Sequence, residues 1–65
     1  MNTFKDGQKV ESVVNAQGMN KGERFTVCSH QKTITPYGAF VTYIIKNEAK
    51  ELQIANAEFV VKKVQ

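Results

Sequence analysis

Cys28 and His30 are the residues of this 65-residue chain whose types suggest nucleophilic or metal chemistry, a lone thiol two positions from the lone imidazole. A cysteine becomes a catalyst when a base within hydrogen-bond reach holds it as thiolate. The spacing argues against that here. Two positions apart on an extended strand, the two side chains share a face about 7 Å apart, too far for a direct thiolate–imidazole bond. As zinc ligands they would need two further partners, and with no other Cys or His in the chain only carboxylates remain to complete a set. The expectation is no catalytic residue, no metal site, no cofactor and no enzyme.

The six carboxylates, Asp6, Glu11, Glu23, Glu48, Glu51 and Glu58, are scattered among turns and strand exteriors. Nothing pairs them in the apolar setting that would raise one pKa for acid catalysis, so they read as solubilising charge. Gly18 and Gly22 lack the Lys-Ser/Thr that follows the last glycine of a phosphate loop, and no Gly-x-Gly-x-x-Gly occurs. What survives is a set of aromatics near positive charge. Tyr37 and Phe40 flank the Pro36 to Gly38 loop with Lys32 nearby, and Arg24 and Lys46 sit at the ends of neighbouring strands. These five residues are the predicted ligand or partner surface, suited to stacking or peptide docking. The plainer reading is that Tyr and Phe in so small a chain anchor the core or its loops while the lysines are solvated.

The elements that must position these residues read as strands. Asp6-Gly7 is a turn signal before the alternation Lys9-Val10-Glu11-Ser12-Val13-Val14, so residues 8–14 are predicted as the first strand. The stretch 15–23, with glycines at 18 and 22, reads as a long loop with Met19 tucked beneath it. Residues 24–30 are rich in β-branched and aromatic types, with Phe25 and Val27 on one face, and are predicted as the second strand. Residues 31–38 contain the only proline and read as a loop. Ala39 to Lys46 is a near-continuous β-forming run and the third strand. Asn47-Glu48-Ala49-Lys50 makes a hairpin connection into a short fourth strand at 51–54. Ala55-Asn56-Ala57 reads as one helical turn, and residues 58–64 as the fifth strand.

A rival is a helix near 47–58, capped by Asn47, with Ala49, Leu52, Ala55 and Phe59 on one stripe, which would give an α+β fold of three strands plus a helix. Ile54 lies off that stripe, whereas Leu52 and Ile54 fit a period of two, and Val60-Val61 is a β-branched pair. The all-β reading is preferred.

This order of strand, two-glycine loop, strand, proline loop, strand, tight hairpin, short strand, helical turn and strand resembles the five-stranded SH3-like barrel. The stretches Asp6-Gly7-Gln8-Lys9-Val10, Gly22-Glu23-Arg24-Phe25-Thr26-Val27 and Glu58-Phe59-Val60-Val61 resemble small accessory proteins of bacteriophages and prophages, over nearly the whole chain. The resemblance implies one SH3-like β-barrel domain over residues 1–65, with residues 1–7 as a flexible lead-in. Its core is expected to contain Val10, Phe25, Val27, Val41, Tyr43, Ile45, Leu52, Ile54, Phe59 and Val61. Binding of proline motifs in the SH3 manner needs a row of aromatics that includes tryptophan, and the chain has none.

With 42% apolar and 23% charged residues, the composition is that of a globular domain. A chain this short buries only about 60% of its unfolded surface, so its core is thin. A single cysteine cannot form the intrachain disulfide that small secreted domains rely on, and no apolar run approaches the length of a membrane span. The expected setting is cytoplasmic, in a bacterial host if the protein is phage-encoded, without membrane contact. The net charge of +3 is spread along the chain and assists a nucleic-acid contact without demanding one. The predicted function is a small non-enzymatic binding module for a host or phage protein, with a sequence-tolerant nucleic-acid-binding barrel as the alternative. It is expected as a monomer or a weak homodimer formed through strand edges.

Overall fold

The computed structural model describes residues 4–64. They form β1 (Lys9–Ser12), β2 (Arg24–Thr35), β3 (Gly38–Lys46), β4 (Glu51–Ala55), α1 (Ala57–Val60) and β5 (Val61–Lys63). All strand pairs are antiparallel, in the order β4-β3-β2-β1-β5, so the last strand returns to lie beside the first. The protein is therefore all-β, with five strands and one helical turn before the last, as the sequence predicts. Buried side chains from all five strands and the helical turn meet in one cluster, which requires the sheet to curl around them.

The rival helix is absent. Residues 51–55 run opposite β3, with Leu52 facing Ile45 and Ile54 facing Tyr43, and Ile54 is buried. Asn47 does not cap a helix either. Its Oδ1 accepts the N–H groups of Ala49 (2.8 Å) and Lys50 (2.9 Å), a side-chain-closed turn that folds β3 back into β4.

Val10, Phe25, Val27, Tyr43, Ile45, Ile54 and Val61 are buried as predicted, Met19 is buried beneath its loop, and Val41 and Leu52 pack at the core's margin. Phe59 is the exception. It is 73% exposed, because α1 covers Ala57–Val60 and β5 begins only at Val61, not at Glu58. The cause is Asn56, whose backbone turns left-handed (φ 54°, ψ 45°) and whose carbonyl accepts the Phe59 N–H at 2.9 Å. Ala57 takes the inward position and Phe59 points out. Asparagine tolerates this conformation better than other side chains with a β-carbon. Asn56→Ala should therefore lower unfolding free energy by about 1 kcal/mol while Asn56→Gly stays within about 0.5 kcal/mol of the parent, as read by urea denaturation.

Of the expected flexible lead-in, residues 1–3 lie outside the described residues, and residues 4–7 are anchored. Phe4 is only 6% exposed, its ring edge-on to Tyr43 at 5.6 Å, and its N–H donates to the Tyr43 hydroxyl at 3.3 Å. The Gly7 N–H donates to the Val27 carbonyl at 2.7 Å. A lone Phe among polar residues offers no period to reveal its burial; the hydrophobic gain at the open end of a thin core supplies the reason.

The loop between β1 and β2 turns through Gly18 and Gly22, both at positive φ. It also blocks one margin of the sheet. The Ala55 N–H donates to Gln17 Oε1 at 2.9 Å and Gln17 Nε2 donates to the Ala55 carbonyl at 3.0 Å, so this amide stands in for a strand's peptide group on the outer edge of β4.

Candidate binding surface

The largest departure from the sequence reading lies at residues 31–38. They are not a loop: β2 runs to Thr35 and β3 starts at Gly38, leaving a two-residue turn of Pro36 and Tyr37. Thr35 Oγ1 donates to the Gly38 carbonyl at 2.8 Å and accepts the Tyr37 N–H at 3.2 Å, while Gly38 adopts φ 136°. Proline breaks a ladder only where its missing N–H is needed, and within the turn it also presets φ.

A register shift sets which way this hairpin faces. Val27 pairs with Ile45 but Ser29 pairs with Ile44, so Cys28 is the extra residue of a β-bulge. Past it, the core-side face passes to His30, Lys32 and Ile34, opposite Tyr43, Val41 and Ala39. The simple alternation that put Cys28 and His30 on one face does not carry through a bulge. Cys28 Sγ lies 3.7 Å from the Thr26 carbonyl. His30 Nδ1 sits 3.0 Å from Asp6 Oδ1, and its ring lies 6.2 Å from that of Tyr43. Among the described residues no group of three or more His, Cys, Asp or Glu gathers as metal ligands would, and no helix is long and apolar enough to cross a membrane.

β1 pairs with β2 only at residues 24–26, and β4 with β3 only from Thr42 onward, so the far parts of β2 and β3 form a two-stranded arm projecting from the core. The molecule measures 35 × 22 × 21 Å. Ile34 is 79% exposed, Tyr37 100% and Phe40 48%, and together they wrap the arm's end. Phe40 lies opposite Thr33 on the face away from Lys32, which lies opposite Val41.

The five predicted surface residues thus separate into two groups. Lys32, Tyr37 and Phe40 are on the arm. Arg24 and Lys46 lie at the other end of β2 and β3, Arg24 roughly 25 Å from Lys32 along the strand. There they join two cations that sequence reasoning missed. Register places Lys9, Thr26 and Lys46 in one row across three strands, and Lys62, Glu11 and Arg24 in the next. Glu11 Oε1 accepts from Arg24 Nε at 3.1 Å, and Lys62 Nζ lies 3.5 Å from Glu11 Oε2. A shallow cleft of about 360 Å³ opens among Lys9, Arg24, Lys46 and Glu48. The alternation of β1 puts Lys9 opposite in face to Val10, but its neighbours follow only from cross-strand register.

Two carboxylates are held below their ordinary value near 4.5. For Glu11 the chief cause is the Arg24 bond, with Lys62 assisting. For Glu23 it is the Asn20 N–H, which donates to Oε1 at 3.1 Å, followed by Lys50 at 3.1 Å and Asn47 Nδ2 at 3.3 Å on Oε2. A lowered folded-state pKa contributes stability that is fully present above the unfolded value and disappears as pH falls through the folded one. The melting temperature should fall from about pH 5 downward, and Glu23→Gln should flatten that slope in a pH series of thermal melts. An unchanged slope would show that the Glu23 contacts do not hold the loop to the β3–β4 hairpin.

Fold and surface together define a small all-β protein of five antiparallel strands bearing a projecting arm with an apolar end. Comparison with protein-family models, with curated proteins and with solved structures finds no match to this chain.

Proposed function

We propose that the protein is a non-enzymatic binding module that docks a protein partner through the end of the β2–β3 arm. One observation carries this reading: Ile34, Tyr37 and Phe40 project into solvent from a two-stranded support, beyond the reach of the core. Exposed apolar side chains clustered on one feature mark an interaction site more often than scattered ones do, and aromatics dominate binding energy at interfaces. The resemblance to accessory proteins of bacteriophages and prophages supports a host or phage protein as the partner, met in the bacterial cytoplasm.

The test is capture from a bacterial lysate on the immobilised protein, compared with the variant Ile34→Thr/Tyr37→Ser/Phe40→Thr. A partner retained by the parent and lost by the variant supports the reading, and capture indifferent to the arm sinks it. A second reading, a sequence-tolerant nucleic-acid binder, draws support from the row of Lys9 and Lys46 with Arg24 and Lys62 beside it. Its aromatic partners, Tyr37 and Phe40, lie at the other end of the molecule, so it would rest on phosphate contacts alone. Steeply salt-dependent anisotropy with labelled single-stranded and duplex DNA, abolished by Lys9→Glu/Lys46→Glu, would favour it over a protein partner.

A further inference from the structure

We propose that the free edge of β2 beyond Cys28 accepts an extended acidic peptide segment as an added strand, its alternate side chains entering the groove beside that edge. The inference rests on the protein-binding reading and names a second contact and its chemistry.

Three features of the arm support it independently. The first is the edge. From Ser29 to Thr35, β2 is paired only with β3, and no backbone group of the described residues bonds its other side past Val27. Every second residue of a strand turns both its N–H and C=O to the same side, so such an edge is a template for another strand. The other margins are shorter or occupied: Gln17 sits on the outer edge of β4 at Ala55, β5 is three residues long, and the part of β3 that β4 leaves unpaired runs only from Gly38 to Val41. No proline lies within β2, and its one bulge sits at the base of the free stretch.

The second feature is the groove, a hollow of about 490 Å³ with Phe4, Val41 and Tyr43 as its apolar walls. His30 and Lys32 line it from β2 itself, on the core-side face that the bulge creates. An added strand places alternate side chains on that same face, which is how strand addition gains selectivity.

The third is charge. Lys5 and Lys32 line this groove, and neither has an ion-pair partner among the described residues. The groove's carboxylate, Asp6, is held by His30 at 3.0 Å. Carboxylates on the incoming segment would meet two lysines against the single carboxylate of Asp6, while lysines there would add like charge. The ligand class is therefore an extended peptide whose alternate, groove-facing residues include both carboxylates for Lys5 and Lys32 and β-branched apolar side chains for Phe4, Val41 and Tyr43.

The probe is an acetylated, amidated hexapeptide whose alternate positions carry Glu, Val and Glu with Thr between them, titrated into ¹⁵N-labelled protein beside a twin with Lys at the Glu positions. The acidic peptide should shift the amides of residues 29–35 and of Lys5 and Val41, and Lys32→Glu should weaken its binding about fivefold. Lys46→Glu, on the outer face, should leave the affinity unchanged. Equal response to the two peptides, shifts centred on Lys9 and Lys46, or no response to the acidic peptide would overturn the proposal. If lysate capture depends on Ile34, Tyr37 and Phe40 while the acidic hexapeptide does not bind, strand addition fails and docking by the arm's end stands. If the hexapeptide binds as described and capture ignores the arm's end, the edge site stands and the docking reading fails.

Discussion

Ile45→Ala should leave the protein largely unfolded in water at 25 °C. Ile45 is fully buried at the centre of the cluster, opposite Val27 on one side and Leu52 on the other. Truncating such a side chain costs about 2–5 kcal/mol, as the lost transfer energy of three carbons adds to the cavity left behind. A single core in a chain below about 70 residues rarely supplies more than about 3–5 kcal/mol in total. The two quantities are of equal size, so one substitution consumes most of the margin. Ile34→Ala is the internal control, because Ile34 is 79% exposed and its loss should change stability by no more than about 0.5 kcal/mol. Far-ultraviolet circular dichroism in a urea series reads both variants. A loss below about 1 kcal/mol for Ile45→Ala would mean that the cluster around it does not hold the sheet together.

Ile34→Thr/Tyr37→Ser/Phe40→Thr should abolish partner capture and leave the fold intact. The expected loss of affinity is about thirtyfold or more, the magnitude of one aromatic hot spot of about 2 kcal/mol. Stability should move little, since Tyr37 is fully exposed and none of the three belongs to the buried cluster. Threonine, a good strand former, replaces both strand residues, so the arm's pairing is preserved. This combination separates a binding surface from a structural one: a variant that lost capture and stability together would place these residues in the fold's own support. Retained capture at full stability would remove the arm's end from the interface.

Much of the fold was legible because it is local. The alternation around Val10, the Phe25/Val27 pair, the run from residue 39 to 46, and the Leu52/Ile54 pair each announce a strand through a period of two. Asn47 and its polar neighbours announce the hairpin that joins two of them. The preference for strands over a helix near 47–58 also held, since only the period of two accounts for a buried Ile54. The candidate surface was legible only in part. Residue types pointed to Tyr37, Phe40 and Lys32, yet a proline read as a strand breaker hid the long arm that carries them.

The sequence by itself determined the number and order of the strands along the chain, the glycine loop, the Asn47 hairpin and most inward-facing residues, because each depends on contacts within a few residues along the chain. Tertiary structure alone decided the bulge at Cys28, the burial of Phe4, the exposure of Phe59 and the distance between Arg24 and the arm. These depend on which residue faces which across neighbouring strands, and a one-residue slip in that register moves every following side chain to the other face.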